Sequence, residues 1–176
     1  GHSVRLWRRD SAALEKLQGL GHLLVRDFRG ERRLSLGQVG DALTLTADLA
    51  QAVADAQLLV IALPSTSHEA LASELAPLLR DGQVVFLPPG TFGSMMFAQA
   101  MAKAGNHSEV AFAETGTLPY LARKHGDNQV VISGYATRLP TGVFPSRLSE
   151  SAFAVLREAY PSVEPIEDAL SGALMN

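Results

Sequence analysis

The residues best suited to chemistry fall in four short clusters: Arg8-Arg9, Pro64-Ser65-Thr66-Ser67 with His68 following, Pro88-Pro89-Gly90-Thr91, and Glu114-Thr115-Gly116-Thr117. Three of the four are rich in Gly, Pro, Ser or Thr. Such residues let a backbone approach a flat ligand and offer hydroxyl groups, and they are also ordinary strand-to-helix punctuation. The arginine pair suits a phosphate monoester, because a guanidinium presents paired donors to phosphate oxygens; a solvated basic turn is the competing reading. Glu114 follows an apolar run, so its carboxylate needs either a polar ligand or a neighbouring backbone amide. His68 falls in the first turn of a helix, where capping, a ligand edge and plain exposure compete. His22, His107 and His125 share no metal-ligand spacing, which argues against a metal site. The chain has no cysteine, which removes disulfides, thiolate zinc sites and cysteine nucleophiles together. Met95, Met96 and Met101 read as core or domain-interface packing.

The elements that must position these clusters alternate. Val4 to Trp7 is a short strand; Asp10 or Ser11 caps a helix bearing Leu14, Leu17 and Leu20, which Gly19 and Gly21 end. Leu23-Leu24-Val25 and Leu34-Ser35-Leu36 flank Arg29-Gly30-Glu31 as a hairpin or extended excursion, and Leu43 to Thr46 is a further extended piece. Asp48 caps a helix over Leu49 to Ala54. Leu58 to Leu63 is an unbroken apolar run stopped by Pro64, hence a strand buried on both faces. A helix with Leu71, Leu75, Leu78 and Leu79 inward, a buried strand Val84 to Leu87, a helix from about Gly93 to Ala104 and a strand Val110 to Ala113 follow. Beyond Tyr120, Val130 to Ile132 adds a strand, Pro145 to Tyr160 a helix with Leu148, Phe153 and Leu156 buried, and Val163 to Ile166 a last extended piece. Apolar strands alternating with amphipathic helices predict an α/β fold, a doubly wound parallel sheet of Rossmann type, with the strands near Val4, Leu58, Val84 and Val110 side by side. In such sheets ligands bind at the carboxyl ends of strands, where all four clusters fall.

A 176-residue chain that is 47% apolar and 19% charged can bury one ordinary core. It has no apolar run long enough to span a bilayer and no signal-peptide layout, so a cytoplasmic protein that does not enter a membrane is expected. The net charge of −3 argues against nucleic acid, although eight of the fifteen basic residues precede Leu34.

A doubly wound nucleotide domain carries G-x-G-x-x-G after its first strand, and the second strand often begins G-H-x-V; here Gly1-His2-Ser3-Val4 opens the sequence. Losing a central strand costs roughly 1 kcal/mol per hydrogen bond against only ~5–15 kcal/mol of net stability. The expectation is a dinucleotide-binding domain over residues 1–167 that lacks its first strand and glycine-loop helix, with 168–176 starting a helix that leads onward. A gap, or a strand from elsewhere, should then lie next to Val4–Trp7 and Leu58–Leu63. The alternative is that Gly1-His2 is a cloning remnant before a fold that starts at Val4.

The stretch Ile61-Ala62-Leu63-Pro64 through Ser67-His68, then Leu75-Ala76-Pro77-Leu78-Leu79 and Asp81 to Gly90, resembles the opine (octopine and nopaline) dehydrogenase family. Ala113-Glu114-Thr115-Gly116-Thr117-Leu118-Pro119-Tyr120 with Ala122-Arg123 resembles it more specifically, and with the opening G-H-S-V-R-L-W the likeness covers essentially the whole chain. The resemblance implies NAD(H) or NADP(H) as cofactor and a reductive condensation of an amino acid with a 2-oxo acid. It implies that Leu63, Pro64, Ser65, His68 and Gly90 line the cofactor groove, that Glu114 and Thr115 lie nearer the nicotinamide, and that Thr117 and Tyr120 approach substrate. Arg8 and Arg9, where an acidic residue would bind the adenine ribose, favour a 2'-phosphate. The family's catalytic histidine and aspartate belong to a second, mostly helical domain, so no residue here takes their roles and the chain alone is expected to be inactive. Gly116 departs from the acidic residue often found there. A glycerol-3-phosphate or ketopantoate dehydrogenase relative and a non-catalytic dinucleotide-binding module are the alternatives; homo-oligomerisation is left open.

Overall fold

The computed structural model describes residues 2–36 and 43–175. Gly1 of the opening G-H-S-V and Asn176, the last residue of the stretch 168–176 expected to start a helix, lie outside the described residues. The chain runs through β1 (Val4–Trp7), α1 (Ser11–Gly19), β2 (His22–Asp27), β3 (Gly30–Ser35), β4 (Leu43–Thr46) and α2 (Leu49–Val53). It continues through β5 (Leu58–Val60), α3 (His68–Leu75), β6 (Val84–Leu87), α4 (Gly93–Lys103) and β7 (Ala111–Thr115). Last come β8 (Tyr120–His125), β9 (Gln129–Tyr135), β10 (Leu139–Phe144), α5 (Ser149–Ala159), β11 (Val163–Pro165) and α6 (Ala169–Leu174). These elements form two compact units, one of Gly1–Ala54 with Tyr120–Tyr135, the other of Asp55–Pro119 with Ala136–Asn176.

In the first unit β1 and β4 form a two-stranded parallel sheet, and β3-β2-β9-β8 form a second sheet. The expected hairpin is present as β2 and β3, antiparallel from His22↔Ser35 to Asp27↔Gly30. Asp10 and Asp48 cap α1 and α2 through their side chains, accepting from Ala13 and Gln51 amides at 3.1 Å each, so the capping read from sequence holds.

The second unit carries a five-stranded sheet in the order β11-β10-β7-β6-β5. The α/β Rossmann-type class holds, with β5, β6 and β7 parallel and adjacent; β10 runs antiparallel to β7, so the sheet is mixed. One face buries Phe86, Val143, Phe153 and Leu156 together, and from the helices α3 and α4 Leu71, Leu75, Phe97 and Met101 are buried. Each such side chain contributes about 1.5–3 kcal/mol on burial. Asp168 caps α6, accepting from Ser171 N at 2.8 Å. Met101 packs in the core, whereas Met95 and Met96 are exposed on α4.

Two differences concern the strands expected side by side. β1 pairs with β4 and with no other described strand, whereas β5 pairs only with β6. The run Leu58–Leu63 is not buried on both faces: it is strand only to Val60, and Val60 and Leu63 are each 42% exposed. Leu59 and Ile61 are buried, and β5 is the terminal strand of its sheet among the described residues.

Candidate functional site

At the carboxyl ends of β5, β6 and β7 the chain does three different things. After β5, Leu63, Pro64 and Ser65 stand exposed ahead of a single 3-10 turn, Ser65–Ser67, that opens α3. After β6, Pro88-Pro89-Gly90 leads into Thr91 (φ 47°) and Phe92 (φ 64°), two consecutive non-glycine residues in the left-handed region. Each costs roughly 1 kcal/mol or more, and such strain persists where surrounding structure over-determines it, often at ligand sites. β7 itself stays buried through its last residues, Glu114 and Thr115, and the chain emerges at Thr117.

The loop after β6 is held from β7. Gly90 N donates to Thr115 O at 3.0 Å, and Gly93 N donates to Gly90 O at 2.8 Å. Glu114 has no solvent exposure; its Oε1 accepts from Ser94 Oγ at 2.5 Å, and its Oε2 has no hydrogen-bond partner. Gly90 packs directly on this carboxylate, since a β-carbon built there would lie 1.8 Å from Glu114 Oε2. Burial raises the Glu114 pKa above its ordinary value, while the Ser94 hydroxyl and then the amides of Ser94, Gly93 and Phe92 pull it down. Sequence reasoning found Glu114 but missed Ser94, whose position at the start of a helix after Pro-Pro-Gly was the available signal.

His68 departs from the expectation that it is as often exposed as not. It is fully buried at the start of α3, its Nε2 donating to Leu63 O at 3.2 Å and its ring 6.2 Å from that of Phe97. Nδ1 has no partner and is covered by Gly93, where a β-carbon would lie 2.8 Å away. Burial depresses its pKa, more than the Leu63 carbonyl raises it. Thr115 is buried too, its Oγ1 donating to Thr117 O at 2.5 Å. Leu63, Pro64, Ser65 and Gly90 thus border the strand ends, whereas His68, Glu114 and Thr115 lie beneath the surface. In the first unit Arg8 and Arg9 are exposed at the end of β1, Arg8 N donating to Thr46 O and Arg9 lying 6.0 Å from the Trp7 ring. Also there, Tyr120 is half-buried, edge-on to Tyr135 with ring centroids 5.3 Å apart. Tyr135 and Asp27, which sequence reasoning passed over, are joined by a short hydrogen bond from the phenol to the carboxylate, and Arg32 pairs with Asp27 at 2.7 Å.

A pH dependence of stability follows. Glu114 binds its proton more tightly folded than unfolded, so its contribution is full below the ordinary value of 4.5 and is lost as pH rises through the raised native value. His68 works in the other direction: its contribution is present above 6.5 and is lost as pH falls through the depressed native value. Denaturant midpoints from about pH 4 to about pH 8 should therefore show an acid-side loss that His68→Gln removes and a base-side loss that Glu114→Gln removes. Parallel profiles in both variants would contradict this.

The family model for the NAD-dependent glycerol-3-phosphate dehydrogenase N-terminus matches residues 1–90. The chain belongs to this family. Over its full length the domain is also similar to the opine dehydrogenase of Arthrobacter sp. strain 1C, with 24% identity over 178 residues covering 100% of this chain and 47% of that protein. A glycerol-3-phosphate dehydrogenase [NAD(P)+] of Halorhodospira halophila is 34% identical over 90 residues, 51% of this chain and 25% of the relative. Octopine dehydrogenase solved with NADH and L-arginine matches in fold at a TM-score of 0.73 and 19% identity, covering 99% of this chain and 45% of that one. The resemblance to opine dehydrogenases read from the sequence holds, as an NAD(P)-binding domain. The domain spans less than half the length of the opine dehydrogenase it matches. Among the described residues no helix is long and apolar enough to cross a membrane, and no group of three or more His, Cys, Asp or Glu could hold a metal ion.

Proposed function

We propose that this domain belongs to an NAD(P)-dependent dehydrogenase of the opine type, which reductively joins an amino acid to a 2-oxo acid. The observation that carries the reading is extent. Similarity to the Arthrobacter opine dehydrogenase runs through the whole chain, including Glu114 to Tyr120, whereas the glycerol-3-phosphate match stops at residue 90.

The strand ends suit part of a dinucleotide. Leu63 and Phe92 offer exposed apolar surface, Ser65 an exposed hydroxyl, and buried Gly90 a backbone that a flat ring can approach. These residues would hold the cofactor at β5 and β6; no glycine-rich pyrophosphate cradle occurs in the sequence. Arg8 and Arg9 would meet a 2'-phosphate, and Thr117 and Tyr120 would meet substrate. The bound nicotinamide, when reduced, supplies a hydride to the imine carbon. Proton handling falls to groups outside this chain, so residues 1–167 serve as the cofactor domain of a longer enzyme, with 168–176 leading onward from it.

The enzyme should consume NAD(P)H only when an amino acid and a 2-oxo acid are both present, and mass spectrometry should find a secondary amine bearing both carbon skeletons. A second reading, glycerol-3-phosphate dehydrogenase, draws on the 34% identity over the first half. Consumption of NAD(P)H with dihydroxyacetone phosphate alone would favour it and overturn the first.

A further inference from the structure

We propose that Glu114 is a positioning residue for the dinucleotide: from β7 its carboxylate acts as a built-in anion at the N-terminus of α4, and through Gly90 and Ser94 it holds the Pro88–Phe92 loop in the shape that borders the cofactor. The inference rests on reading these strand ends as the dinucleotide site.

Three independent observations converge on it. The first helical amides need acceptors, yet α4 has no side-chain cap of its own, because its N-cap residue is Phe92 in the left-handed region. Glu114 reaches that end from the adjacent strand, where Leu87 of β6 pairs with it; it is fully buried, one carboxylate oxygen accepting from the Ser94 hydroxyl in the first turn of α4 and the other without a partner. The helix dipole favours a negative charge at that end. The contact with Gly90 is close enough to exclude any side chain, so carboxylate and loop fix one another's position.

Two consequences distinguish this from a role in touching the ligand. Glu114 is sealed beneath Gly90 and acts on the cofactor only through the loop. The N-terminus of α4, which would otherwise attract a phosphate or a substrate carboxylate, is already occupied by the protein's own anion.

The test uses Glu114→Ala with and without acetate, at constant ionic strength, and acetamide as the neutral isostere. Two readouts are followed: NADPH affinity, and amide hydrogen exchange at Gly93, Ser94 and Met95. Removing the carboxylate should weaken NADPH binding roughly tenfold and speed exchange at those amides by a similar factor. Acetate should restore much of both, and acetamide neither. Parent-like exchange and affinity in Glu114→Ala, or rescue by acetamide as good as by acetate, would overturn the proposal. If Glu114→Ala does not fold, Ser94→Ala removes only the hydroxyl donor and should move both readouts about threefold in the same direction; no change in either overturns it. A parent protein that binds no NADPH would sink the dinucleotide reading of the site, while exchange at α4 with and without acetate still decides whether Glu114 is the cap.

Discussion

Replacing Gly90 with alanine should destabilise the protein by about 1–3 kcal/mol and remove most of its dinucleotide binding. A β-carbon at this position would lie 1.8 Å from Oε2 of Glu114 and 2.2 Å from its Cβ, so rotating the carboxylate away does not make room. Either β7 shifts or the loop after β6 lifts. A shift of β7 disturbs the packing of Gly172, where a β-carbon would lie 2.6 Å from Glu114 O. A lifted loop breaks the hydrogen bond from Gly90 to Thr115 and frees Thr91 and Phe92 from the strained conformation that the surroundings impose. Chemical denaturation of Gly90→Ala against Gly19→Ala is the measurement. Gly19 lies in α1 with nothing within 4 Å of an added β-carbon, so that variant should be neutral or up to about 1 kcal/mol more stable. Equal stability of the two variants would mean that the loop yields freely.

The second large effect is on cofactor choice. An enzyme carrying this domain should use NADP(H) at least as well as NAD(H), and Arg8→Asp should reverse the ratio of kcat/KM. Arg8 is anchored through its backbone amide to Thr46 O at 3.2 Å while its side chain is exposed. A guanidinium there can pair with a 2'-phosphate; an aspartate would repel it and accept from the ribose hydroxyls instead. Charged hydrogen bonds are worth roughly 1.5–3 kcal/mol, and exposure discounts this toward about 1–2, a preference of roughly 5- to 30-fold. A strong NADH preference in the parent, or a ratio unchanged in Arg8→Asp, would return both arginines to a solvated turn.

The succession β5, α3, β6, α4, β7 was legible because its strands are continuous apolar runs and its helices keep one apolar stripe. β8 was not, since Tyr120–His125 carries Arg123, Lys124 and His125 and forms an edge whose faces are mostly exposed. β10 was hidden by Pro140 and Gly142, which read as breakers. Gly142 is needed for packing: a side chain there would strike Asp168 O, 1.8 Å from an added β-carbon, where α6 begins. At the site, the burial of Glu114 was legible from its place at the end of an apolar run. Its partners were not, because Ser94 and Gly90 meet it across strands and no spacing records that. The burial of His68 was not legible for a related reason: a histidine in a first helical turn suits capping, a ligand edge and plain exposure alike, and only the neighbouring Phe97 and Gly93 show that it is enclosed.

A dinucleotide is expected to bind at the carboxyl ends of β5 and β6. Titrating isotope-labelled protein with NADPH and following backbone amide shifts tests it most directly, since even weak binding registers. The largest shifts are expected at Leu63, Ser65 and Gly90 to Ser94. Shifts confined instead to the groove lined by Met101, Asn106, His107 and Arg147 at the opposite end of α4, or no shifts at all, would contradict it.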